Sequence, residues 1–277
     1  MAALLTYWHL DPMIFVFLIL MVVFYLHLTD FKILRKSGYF FAGLILIVLS
    51  IASPLHFLGE NYLMSAHMTS HVILLLIASP LLVAGLPEIR SKNISRFSEI
   101  LVRMPWIPWM SGVCIMWFWH IPVIFNSLFE SSEQPARDFS SLSISALQNI
   151  HIISLIVAGI LFSWPIIGPV RTSRLFPLNA VLYLSTSCIF CSILGLLITF
   201  APAGVYTPYN HMADRLGFMN MIRNQNGISA LVDQQVAGLI MWVPGCLIYL
   251  TASMSLLMKW FREKNSKPVF NINNIVS

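Results

Sequence analysis

The sequence predicts an all-α membrane protein, a seven-transmembrane-helix bundle with its N-terminus outside and its C-terminus in the cytoplasm. Of 277 residues, 58% are hydrophobic and only 10% charged, against roughly 25% charged in a soluble domain. Seven apolar runs, at 12–28, 39–57, 62–85, 105–127, 146–168, 177–200 and 231–257, come close to the roughly 20 residues that cross a bilayer. With seven spans, alternate connections share a side. One side carries thirteen Lys and Arg, the other only Arg137, Arg215 and Arg223. Basic connections stay in the cytoplasm, which sets the orientation. The net charge of +5 is thereby explained by topology, and no nucleic-acid partner is expected.

The first run begins at Pro12 with no Lys or Arg before it, so it lacks the basic start of a cleavable signal peptide and is expected to remain as a span. Lys32, Arg35 and Lys36 separate it from the second. The third opens with MSAHMTSH (64–71) and leads into a basic connection holding Arg90, Lys92, Arg96 and Arg103. Near the end of the fourth, in WHIP, Pro122 removes a hydrogen bond to the carbonyl of Phe118, so a kink is expected beside His120. The fifth opens with LQNIH, the sixth carries TSCIFC, and the seventh opens with DQQVAGLIMW.

Two connections on the poorly basic side are long. Residues 128–145, rich in serine and containing Pro135, read as an exposed loop. Residues 201–230 mix Pro, Gly and Asn with Met212, Met219 and Met221, and predict a partly ordered cap. Residues 1–260 are expected to form one transmembrane domain and 261–277 a polar cytoplasmic tail. Trp8, Trp106, Trp109, Trp119, Trp164 and Trp260 fall near span ends, where interfacial anchoring is the ordinary reason for tryptophan.

The polar groups inside the spans concentrate at one depth. At a 1.5 Å rise per residue, His67 lies about 8 Å and His71 about 14 Å below the outer end of the third span. His120 lies about 11 Å below the outer end of the fourth, and His151 about 8 Å below that of the fifth. Helix geometry puts Met64, His67, Met68 and His71 within an arc of about 100°. Polar rings facing lipid are costly, so this face is expected to look into the bundle. Gln148 stands one turn from His151, and Asp233 and Gln234 stand at the rim of the seventh span. Asp233 could orient a ligating histidine through its second ring nitrogen.

Interhelical hydrogen bonding would explain any one of these histidines. As a group with methionine they suit a metal, and imidazole plus thioether favours copper, with thioether favouring Cu(I). Two histidines on facing helices could instead ligate a haem. Zinc fits less well in a site poor in carboxylates and rich in methionine. A permease is a further alternative, since buried polar layers also line transport paths. Cys188 and Cys191 share a helix face deeper in the sixth span, where small-residue packing explains them and a transient Cu(I) stop is the alternative. No hydrolytic or phosphate-binding motif occurs, and the seventh span has no lysine for a Schiff base.

HMTSHVILLLIASPLLVAGLP (67–87), WHIPVIFN (119–126), LQNIHIISLIVAGILFSWPIIGP (147–169), GLLITFAPAGVYTPY (195–209) and DQQVAGLIMWVPG (233–245) occur in that order. Together they resemble the heptahelical CtaG family of bacterial cytochrome c oxidase assembly factors, from the third span through the seventh. The resemblance implies a multi-pass plasma (inner) membrane protein that assists assembly of a haem-copper oxidase by handling copper, and no enzyme. Its partners would be oxidase subunits and an extracytoplasmic copper chaperone. His67, His71, His120, His151, Asp233 and Gln234 fall in the resembling motifs. Family members often carry a second polar or histidine residue beside position 151, where this chain has Ile152 and Ile153.

Overall fold

In hydrocarbon a backbone must satisfy its own hydrogen bonds, so an apolar run that long forms helix. The computed structural model describes residues 8, 11–32, 34–88, 91–130, 140–211, 214, 217–225 and 227–265. Among them every regular element is helical. In chain order these are α1 (Pro12–Leu28), α2 (Ser37–Ala52), α3 (Pro54–Asn61), α4 (Met64–Val72), a π-helical stretch (Ile73–Ala78), α5 (Ser79–Gly85) and α6 (Lys92–Arg103). They continue with α7 (Trp106–Trp119), α8 (Pro122–Glu130), α9 (Ser140–Ile167), α10 (Pro177–Phe200), α11 (Pro208–His211), α12 (Phe218–Asn220), a second π stretch (Met221–Gln225) and α13 (Ala230–Asn265).

Four stretches are long and apolar enough to cross a membrane: Met64–Gly85, Ala146–Ile167, Pro177–Phe200 and Ala230–Asn265. The number rises to six if α2 with α3, bent by 42°, and α6 with α7, bent by 77°, each count as one span. The 17-residue α1 is a shorter apolar helix.

The breaks have local causes. Ser53 starts α3 by accepting a hydrogen bond from the Leu55 amide at 3.2 Å, and Pro54 occupies the first helical position, where no amide is needed. The kink expected at WHIP is a full break, since α7 ends at Trp119 and α8 restarts at Pro122. The basic connection after the third run is helical as well. In α6 the charges lie on one side, while Ser98 and Leu101 are buried and Ser98 accepts from the Trp164 indole at 2.9 Å. Inside the third run, Pro80 removes a donor from the helix and the preceding turn widens. Ser79 then reaches back five residues, its amide and its hydroxyl both bonding the Leu74 carbonyl, the hydroxyl at 2.7 Å. The hydroxyl also reaches the Ile156 carbonyl at 3.1 Å. Across that turn the packing partners change: α4 lies against α3 and α13, α5 against α2 and α9.

The most extensive helix pair is α10 with α13. It closes on glycine: a Cβ on Gly195 would stand 2.9 Å from the Gly238 carbonyl oxygen, so any side chain there would push the helices apart. The described residues of the 201–229 segment lie over the end of the bundle to which His67 and His120 belong. Its Tyr209 hydroxyl donates to the Gly59 carbonyl at 2.5 Å, Tyr206 to the His120 carbonyl at 3.1 Å, and Arg223 to the Tyr209 and Ile228 carbonyls at 3.1 and 2.9 Å. Met212 and Arg215 lie outside the described residues, as do 131–139 of the serine-rich loop and Arg90. Backbone helix already begins at Ser140, inside that loop. At the C-terminus α13 continues five residues past Trp260, and 266–277 of the expected tail lie outside the described residues.

Candidate metal centre

The N-terminus of α4 is set by another helix. Leu63 at its cap position offers no side-chain acceptor. Asp233 of α13 supplies it, taking hydrogen bonds from the Met64 amide at 2.6 Å, the Ser65 amide at 3.2 Å and the Ser65 hydroxyl at 2.5 Å. A carboxylate at a helix N-terminus also meets the positive end of the dipole. On the other side Gly59 lets α3 approach, since a Cβ there would lie 2.9 Å from the His67 amide nitrogen. These two contacts fix where His67 and His71 stand.

The chain then brings four imidazoles together from three elements: His67 and His71 on α4, His120 at the end of α7, and His151 on α9. All are buried, His67 being the most exposed at 8%. His71 is central, with ring centroids 4.3 Å from His67, 4.8 Å from His151 and 5.1 Å from His120. His67 and His151 stack at 5.4 Å. One ring nitrogen from each of His67, His71 and His151 can be chosen so that all three lie within 4.8 Å of one another. Nε2 of His67, both nitrogens of His71 and Nε2 of His151 are buried with no hydrogen-bond partner. Buried polar atoms without partners are costly, and these four make the group a candidate ligand site.

His120 is arranged differently. Its Nδ1 donates to the Met116 carbonyl at 2.5 Å, which leaves Nε2 unprotonated in the neutral ring. Nε2 then faces Sδ of Met68 at 2.9 Å. With Nε2 unprotonated neither atom can donate to the other, and a borderline imidazole nitrogen beside a soft thioether sulfur is a pair that could share a cation. The centre thus consists of a three-imidazole group and an imidazole–thioether pair, joined at the His71–His120 contact.

The other residues singled out from the sequence fall as follows. Asp233 does not orient a histidine, because its carboxylate is taken up by the α4 N-terminus. Gln234 donates to the carbonyls of Ile198 and Ala201 at 3.1 and 2.8 Å and so closes the C-terminal end of α10. Met64 is buried in the apolar core. Gln148 lines a small cavity together with His67, His71 and His151. Cys188 sits 3.2 Å, sulfur to sulfur, from Cys246 of α13, and Cys191 points its thiol at the Met241 carbonyl at 3.6 Å. Cys188 is about 18 Å along α10 from the Phe200 end, by helix rise, and Cys191 about 14 Å, so only Cys188 lies clearly deeper than the histidines by this measure.

The tryptophan expectation fails at Trp119. It is buried, donates to Ser154 at 2.9 Å and packs its ring 4.7 Å from that of His151. Phe125 and Phe129 of α8 cover the opposite side, at 5.7 and 5.1 Å from His67. Neither had a positional signal in the sequence, because only the break at Pro122 turns α8 back over the histidines.

A family model described as cytochrome c oxidase caa3 assembly factor (Caa3_CtaG) matches residues 20–263. No curated protein and no solved structure matches the chain.

Proposed function

The chain belongs to the cytochrome c oxidase caa3 assembly factor family, and from that membership we propose that it handles copper for the oxidase in the bacterial plasma membrane. The observation that carries this reading is the set of unpartnered ring nitrogens on His67, His71 and His151. Those three residues would hold Cu(I), with Met68 and His120 beside them as the soft pair that takes it over or completes its ligands. The donor set fits: imidazole and thioether bind Cu(I), and the hydrogen bond on Nδ1 of His120 leaves its other nitrogen free to ligate. The protein acts by ligand exchange, with an oxidase subunit as acceptor and an extracytoplasmic chaperone as donor, and performs no covalent chemistry.

In this reading the seven apolar runs are seven crossings, the chain forms one transmembrane domain, and the histidine end faces outward. The concentration of Lys and Arg at the opposite helix ends supports that orientation. Copper is favoured over haem because the imidazoles pack against one another and against Phe125, Phe129 and Trp119. Axial ligation needs a slot for a macrocycle between rings, and the cavity beside these is about 20 Å³.

The test is copper analysis of purified protein after anaerobic Cu(I) loading, beside oxidase activity in cells carrying His71→Ala. One copper per chain in the wild type, lost in the variant together with oxidase activity, is the expected result. Protein that holds no stoichiometric copper, or a variant that assembles oxidase normally, refutes it.

A further inference from the structure

The three-imidazole group contains no carboxylate of its own, and Asp233 is engaged at the α4 N-terminus. Negative charge is placed next to it instead. A cavity of about 590 Å³ is walled by α1, the end of α2, α3 and α9, with Asp11, His56, Glu60, Gln148 and Asn149 among its polar lining. His56 and Glu60 stand one turn apart on α3, with Nε2 of His56 3.2 Å from Oε1 of Glu60 and side chains 24% and 30% exposed. The same two residues, with Gln148, also line the 20 Å³ cavity that His67, His71 and His151 line. One α3 turn therefore touches both the wide chamber and the histidines.

The constriction decides what can pass. A space of about 20 Å³ holds about one water, at 10–15 Å³ of such volume each. A copper ion must leave its donor's ligands before it reaches the imidazoles, and something must replace those ligands as they leave. We propose that His56 and Glu60 form an entrance site for the copper cation, where one imidazole and one carboxylate take the place of the donor's ligands before the ion moves on to His67, His71 and His151. This rests on the copper reading above. Two donors, one of them a hard oxygen, hold Cu(I) less well than three nitrogens backed by a thioether, so transfer runs inward. The carboxylates of Glu60 and Asp11 raise the local concentration of cations in the chamber.

The experiment follows Cu(I) moving from its coloured bicinchoninate complex into purified full-length protein in a stopped-flow spectrometer. Wild type, Glu60→Gln and His56→Ala are compared; the first substitution keeps the shape of the side chain and guards against misfolding. Both variants should load to the wild-type stoichiometry at a rate lower by on the order of tenfold, the smaller end of steering effects in charged clefts. Variants that load at the wild-type rate overturn the entrance while leaving the histidine site intact. A lowered final stoichiometry at an unchanged rate also overturns it, since the pair would then belong to the final site. A wild-type protein that takes up no copper overturns the histidine site and the entrance together.

Discussion

The carboxylate of Asp233 lies 2.6 Å from the backbone nitrogen of Met64, 169 residues earlier in the chain. The contact caps one helix with a side chain from another and sets the start of the segment that carries His67 and His71. Asp233→Ala leaves buried amides without an acceptor and should lower stability by about 1–3 kcal/mol, while Asp233→Asn keeps part of the cap. Detergent unfolding followed by circular dichroism measures the difference. An alanine variant as stable as wild type would remove the contact from the account of how α4 is held.

Met68 is fully buried with its sulfur against His120. Met68→Leu nearly conserves volume, so its folding cost should stay below about 1.5 kcal/mol. Loss of a soft donor should weaken Cu(I) binding by on the order of tenfold and leave binding of Zn(II) nearly unchanged. Competition titrations with both metals check this. Equal weakening of the two would mean that the thioether only fills space.

Gly238 sits where α13 crosses α10, and an added Cβ would overlap the Gly195 carbonyl and Thr199. Gly238→Ala should destabilise by about 1–3 kcal/mol through overpacking, despite the helix propensity of alanine. The same unfolding assay reads it. A neutral or stabilising result would show that the helices separate there without cost.

The Tyr206 hydroxyl, in the segment over the histidine end, donates to the His120 carbonyl, and burial pushes its pKa up to about 12. The group is neutral in the folded chain beyond the pH at which a free phenol ionises. Its contribution is therefore complete below about pH 10 and is lost as pH rises from there through about 12. Proteolytic sensitivity of the 201–229 segment should rise across that window in the wild type, whereas Tyr206→Phe should show less of the change. A segment equally protected at pH 8 and pH 11.5 in the wild type argues against the tie.

Much of the fold was legible because apolar runs must be helical in hydrocarbon. Helices overlap every predicted run, and α1 and α10 keep their predicted bounds. The breaks were legible only where proline announced them. Pro122 predicts a kink; the structure has a complete interruption there, with the Tyr206 hydroxyl donating to the His120 carbonyl between the two helices. The α6 helix was read as a connection because its charges masked its apolar side.

The candidate site divides along the same line. Helical spacing by itself determined that His67 and His71 share a face, because rise and turn per residue are constant along a helix; for His120 the same count runs across the break at Pro122, and its place beside the others came from the structure. Rotation of one helix against another is decided by contacts that sequence spacing does not encode. Only the tertiary structure could decide that His151 joins His67 and His71 while His120 turns to Met68. It also decided that Asp233 caps α4, that Cys188 meets Cys246, and that His56 and Glu60 of α3, a helix that begins inside the second apolar run and ends beyond it, line one small cavity with the imidazoles. Close approach at Gly59, Gly195 and Gly238 and the wide turn before Pro80 are places where small local differences set which faces meet.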